Sequence, residues 1–161
     1  MSEFDTFDGI AVARSGDTLV ALWSEPATLS RMRWLGSKLD HFAAKREDGE
    51  ALMLMVVLPK SSPPEGEART ESNAIAKRLG NRARLFVTVA LGDSMWLLVV
   101  RTVMRATFLL SGNSKRLSIC ATEAEGLRQI SAARRPTSPG IRDIEGMLNE
   151  LYVRLSVVRA G

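Results

Sequence analysis

Few side chains in this chain of 161 residues are equipped for chemistry, and their spacing narrows what each could do. The one histidine, His41, stands between Asp40 and Phe42. No G-x-S-x-G elbow or cysteine cluster accompanies it, so neither a nucleophile with its base nor a metal-ligand set can be assembled from sequence neighbours. A hydrolase would require the fold to bring His41 beside a serine and a carboxylate. The simpler reading is a surface histidine near a helix end. The lone cysteine, Cys120, lies in an apolar run, excludes an internal disulfide and reads as a buried thiol. Neither a Walker A sequence nor a G-x-G-x-x-G is present to cradle a phosphate after a strand. The expectation is therefore a chain without catalytic residues, metal or cofactor.

Two other groupings point to regulation or binding. Ser61 and Ser62 lie in the Pro-bounded loop Pro59-Lys60-Ser61-Ser62-Pro63-Pro64, just before a helical pattern. There an added phosphate would be favoured by the positive end of the helix macrodipole. The competing reading gives Ser62 a capping-box role, with Pro63 first in the helix and Glu65 as the reciprocal partner. Arg101 and Arg105 are four residues apart in a long apolar segment, a spacing that lets two guanidinium groups address one carboxylate or phosphate. A solvated stripe is the plain alternative, because Arg stems also cover apolar surface while their heads stay wet.

These residues are positioned by a β-then-α rhythm. Ile10 to Trp23 alternates about Ser15-Gly16-Asp17 and predicts an antiparallel hairpin. Pro26 opens a helix whose Leu29, Met32, Leu35, Leu39 and Phe42 share one face. Ala51 to Leu58 and Leu85 to Leu91 are apolar at nearly every position, as strands buried on both faces must be. The helix between them, running to about Leu79, has a thin apolar face and is expected near a sheet edge. Asp93 and Gly112 bound a further helix that is apolar nearly all round, with Trp96, Val100 and Val103 on one side and Leu97, Leu98, Phe108 and Leu109 on another. Such a helix needs two packing partners. Strand Arg116 to Ala121 leads through a Thr122–Glu125 capping box into a short helix ending at Ile130. The expected organisation is an α/β domain over residues 1–132, a linker over 133–140, and an amphipathic helix over 141–161, capped by Ser138 and Pro139. Its Ile141, Ile144, Leu148, Leu151 and Leu155 could dock on their own domain or on a partner.

Composition constrains the partners. The formal charge of +4, from 22 Lys plus Arg against 18 Asp plus Glu, is a mild excess, and several of these cations fall at predicted helix ends where they complement the dipole. A nucleic-acid partner is not called for, since there is no basic stripe with interleaved aromatics. Met95 to Leu110 is shorter than the roughly 20 residues that cross a bilayer and holds Arg101 and Arg105, so no membrane span is expected. Met1 to Asp8 has neither a basic nor an apolar leader region, which leads to the expectation of a cytoplasmic protein.

The order hairpin, helix, strand, helix, strand, helix, strand, helix resembles the STAS family, named for sulphate transporters and anti-sigma-factor antagonists. The resemblance covers about Gly9 to Ile130, and its most suggestive stretch is the last strand with Thr122-Glu-Ala-Glu-Gly-Leu-Arg-Gln-Ile130, similar to the ending of SpoIIAA-like members. It implies a mixed, mostly parallel sheet of four or five strands flanked by helices, and a non-enzymatic module that binds proteins or apolar ligands. Phosphoswitch members carry an Asp-Ser-Ser/Thr-Gly type motif where this chain has Pro59 to Pro64, so Ser61 and Ser62 occupy the comparable place without the flanking Asp and Gly. The resulting expectation is a regulatory module, dimeric through Trp96, Val100, Arg101, Val103, Arg105 and Phe108. A carrier of a small apolar ligand is the second reading.

Overall fold

The computed structural model describes residues 2–79, 82–92, 101–102, 105–106 and 116–159. Six strands lie side by side in chain order: β1 (Glu3–Phe7), β2 (Ile10–Ser15), β3 (Thr18–Trp23), β4 (Ala51–Val57), β5 (Ala83–Ala90) and β6 (Leu117–Cys120). β1, β2 and β3 pair antiparallel, whereas β3 to β6 run parallel, giving the mixed, mostly parallel α/β sheet that the pattern predicts. The strand count is one above the expected maximum because Glu3–Phe7 joins as an edge strand. An acidic stretch can do so here because Arg14 on β2 reaches both Glu3 and Asp5 at 2.7 Å. Phe7 adds a stack on Trp34, ring centroids 5.5 Å apart.

The hairpin turns at Gly16 and Asp17, with Ser15 paired to Thr18. Gly16 has φ of +55°, the left-handed value that a two-residue turn needs at its first position. Parallel strands require crossovers, and these bring α1 (Leu29–Ala44) between β3 and β4 and α2 (Gly66–Leu79) between β4 and β5. Both pack on one face, where Leu35, Leu39, Phe42 and Ile75 meet Val12, Leu19 and Met53. After β6 come α3 (Glu123–Ala133) and α4 (Ile141–Arg154), which cover the opposite face. There Ile130, Ile144, Leu148 and Leu151 meet Val20, Leu22, Leu54 and Val87. β4 is thus covered on both faces, which accounts for its unbroken apolar sequence.

Several local expectations are corrected. The cap of α1 is Thr28, whose hydroxyl accepts from Arg31 N at 3.4 Å, and Pro26 precedes the helix. α2 starts at Gly66, so Ser62, Pro63 and Glu65 form no capping box. Pro64 disfavours a helical Pro63, and the first turn is instead anchored by the Glu65 carbonyl, which accepts from Ala68 N at 3.1 Å. α2 joins the inner strands β4 and β5 and packs along α1. Gly36 on α1 has no side chain, and Ile75 packs closely against it. α4 is capped at Gly140, whose N–H donates to Asp143. It lies on β2 and β3 of its own chain. After α3 ends at Ala133, residues 134–140 form a corner in which the buried Ser138 hydroxyl donates to the Asp17 carboxylate at 2.6 Å, tying the corner to the hairpin turn.

Candidate functional site

At the carboxyl ends of β3 and β4, the two following loops enclose a solvent-open groove of about 410 Å³ between the starts of α1 and α2. One wall is Pro26 to Leu29; the other includes Ser62, Pro63 and Glu65. The walls are fastened together by Ala27 N donating to the Ser62 carbonyl at 3.3 Å. Arg31 fixes the first wall from below, donating to the Pro26 carbonyl at 3.0 Å, the Asp8 carbonyl at 2.8 Å and the Asp8 carboxylate at 3.1 Å. Concave ground outside the carboxyl ends of parallel strands is where α/β sheets commonly receive ligands. Here it is shallow, and Glu65 and Glu67 line it, so it would repel a bare anion.

The two serines of this loop differ. Ser62 is exposed on the groove, whereas Ser61 is 2% exposed and its N–H closes a turn onto the Leu58 carbonyl at 3.0 Å. A modifying enzyme could reach Ser62 in the folded chain, but reaching Ser61 would require local opening.

Of the residues expected to bind a partner, Trp96, Val100, Val103 and Phe108 lie outside the described residues. The same holds for Asp93 and Gly112. Arg101 and Arg105 are both in helical backbone, Arg101 half-buried and Arg105 exposed. Arg101 also lies close enough to Cys120 to act on its thiol, opposing the larger effects of burial and Glu125 that push the thiol up to about 11. At neutral pH Cys120 is therefore a protonated, buried and unreactive group.

His41 is exposed near the end of α1, and one pocket does gather it with Ser15 and Glu3. That is not a triad. Glu3 is engaged by Arg14, and among the described residues no hydrogen bond links His41 to Ser15 or to a carboxylate. Among the described residues no group of three or more His, Cys, Asp or Glu side chains could hold a metal ion, and no helix is long and apolar enough to cross a membrane. The apolar gap between α1 and the sheet, bordered by Leu19, Leu35, Leu39, Met53 and Phe86, is too tight to admit a water molecule.

Sequence reasoning passed over a surface built from β1 and α1. Phe7, 36% exposed, stacks on Trp34 with Lys38 Nζ 5.4 Å from the indole centroid, and Lys38 also pairs with Asp5 at 3.3 Å. The available signal was a pair of aromatics, Phe4 and Phe7, within an acidic stretch. With this geometry established, no protein-family model, curated protein or solved structure matches the chain.

Proposed function

We propose that this chain is a non-enzymatic, regulatory protein-interaction module that associates with a second copy of itself through the segment holding Trp96, Val100, Arg101, Val103, Arg105 and Phe108. The supporting observation is that α4, the other amphipathic surface that could serve association, is already engaged in cis, with Ile144, Leu148 and Leu151 fully buried on the sheet. That leaves the segment from Met95 to Leu110 as the apolar stretch richest in large side chains, with an exposed Arg105 on it. In the proposed interface the apolar side chains exclude water and the arginines set orientation at the rim. The STAS resemblance belongs to the same proposal and is supported by the parallel strands flanked by helices.

Sedimentation velocity over a concentration series tests it. Wild-type protein is expected to pass from monomer to dimer, and the paired substitution Arg101→Glu with Arg105→Glu to weaken the dimer by about tenfold or more with an unchanged thermal midpoint. A single monomeric species at every concentration, or a variant that assembles like the wild type, overturns the proposal.

A further inference from the structure

The opposite end of the sheet, where the parallel strands begin, carries a second solvent-open pocket, of about 220 Å³, between the β2–β3 turn and the end of α1. Its charges do not balance. Glu3 and Asp5 are answered by Arg14 and Lys38, with contacts of 2.7 to 3.3 Å, so that set is neutral. Lys45 and Arg46 are left over.

Arg46 is half-buried, with its guanidinium 3.7 Å from the Phe42 ring centroid. It donates to the Phe42 carbonyl at 2.7 Å and to the Gly16 carbonyl, and among the described residues no carboxylate is bonded to it. Those carbonyls fix the fork while leaving further N–H donors, and bonding Phe42 O also offsets the negative end of the α1 dipole. Asp17 and Glu50 act on Arg46 only through space. The Asp17 carboxylate accepts from Thr18 and Ser138 hydroxyls, and Glu50 accepts from Glu47 N at 2.9 Å. Burial pushes the Arg46 pKa down, as expected of a desolvated cation whose carboxylate neighbours compensate it incompletely. Lys45 is exposed beside it and makes no ion pair among the described residues, while His41 and the Ser15 hydroxyl complete the lining.

The geometry points to this pocket as a binding site for a phosphate monoester group, held between Arg46 and Lys45 with His41 at the rim. Among the residues that line the pocket, cations exceed acids by two, which favours a dianion over a single carboxylate although Asp17 and Glu50 offset part of this charge through space. A guanidinium fork already held in place loses little freedom on binding phosphate oxygens. The phosphate could belong to a soluble small molecule or to a lipid headgroup. The inference does not depend on self-association.

His41 supplies the only imidazole signals of the chain, so its NMR resonances report directly on the pocket. Titration with inorganic phosphate and with glycerol 3-phosphate, against chloride at matched ionic strength, should shift them saturably. Lys45→Gln, at an exposed position, should weaken binding by about fivefold to tenfold, and Lys45→Glu further, with thermal midpoints unchanged. Co-sedimentation with phosphatidylcholine vesicles containing phosphatidic acid, but not with phosphatidylcholine alone, identifies the lipid source if Lys45→Gln reduces it. Saturation by glycerol 3-phosphate without vesicle binding identifies the soluble one. Unsaturable shifts without vesicle binding, or binding unchanged in both Lys45 variants, overturns the assignment.

Discussion

The two faces of the sheet are covered by helices that arrive in different ways. On one, α1 and α2 are laid down by the crossovers that parallel strands require, each joining two strands that are neighbours in the sheet. On the other, α3 and α4 both follow the last strand, and α4 must return across the sheet to β2 and β3. The hydrogen bond from Ser138 to Asp17 spans 121 positions and anchors that return. The crossover face is therefore built by connections between neighbouring strands, whereas the second face depends on the return of α4, and that helix is engaged on its own sheet.

The largest effect that separates the faces is expected from deleting residues 141–161. Loss of Ile144, Met147, Leu148 and Leu151 would uncover Ala11, Ala13, Val20 and Leu22, all now buried. Since truncating one buried Leu to Ala typically costs about 2–5 kcal/mol, removing four such side chains should abolish cooperative unfolding in urea. A truncated chain with the wild-type transition would show that α4 is dispensable.

A smaller contrast comes from one glycine on each face. A Cβ at Gly126 on α3 would sit 2.5 Å from Val89 Cγ2, on a stiff β-branched side chain within a central strand. At Gly36 it would meet Ile75 Cδ1 at 2.8 Å and Cγ1 at 3.0 Å, the former at the far end of a side chain with a second rotatable bond. Gly126→Ala should destabilise by about 1–3 kcal/mol. Gly36→Ala should be near neutral, because gained helix propensity of up to about 1 kcal/mol offsets the adjustment. Denaturant midpoints of the two variants decide it; equal losses would erase the contrast.

Ser138→Ala should cost about 1–3 kcal/mol by leaving a buried acceptor short of a donor, and it should loosen the second face alone. Hydrogen exchange faster in α4 but unchanged in α1 is the expected pattern. The smallest effect is at the β1 edge. The hydrogen bond from Arg14, then Lys38, holds Asp5 below its ordinary 3.8, against the opposing effect of burial. A carboxylate with a depressed folded-state pKa stabilises above its unfolded value and loses that contribution as pH falls through the folded one. Asp5→Asn should therefore flatten the loss of stability below about pH 4 by a few tenths of a kcal/mol, the scale of a solvent-screened pair. An unchanged acid limb would show that Arg14 adds nothing to the edge.

How much was legible in sequence follows the same division. The crossover face could be read because its signals are local: Leu35, Leu39 and Phe42 repeat at helical spacing, Gly16 marks the hairpin, and Ala51 to Val57 is apolar throughout. Thr122 as a cap was equally local, and its hydroxyl accepts from Glu125 N at 3.2 Å. The apolar seam of α4 was visible, but periodicity says which side of a helix is buried and not against what. β1 escaped notice because its acids read as solvent-facing until Arg14 and Lys38 arrive from elsewhere in the chain. The start of α2 was misplaced because the effect of Pro64 on Pro63 outweighs a good capping motif. The pocket of Arg14, His41, Lys45 and Arg46 joins two elements separated by a strand and a loop, so no spacing rule could find it.

With α4 closed onto its own sheet, the proposed association rests on the segment from Asp93 to Gly112. Hydrogen–deuterium exchange at low and high protein concentration, followed peptide by peptide, tests this most directly. The account predicts that protection in peptides spanning 93–112 rises with concentration while peptides of α4 stay the same. Protection that rises in α4, or in no peptide of 93–112, would contradict it.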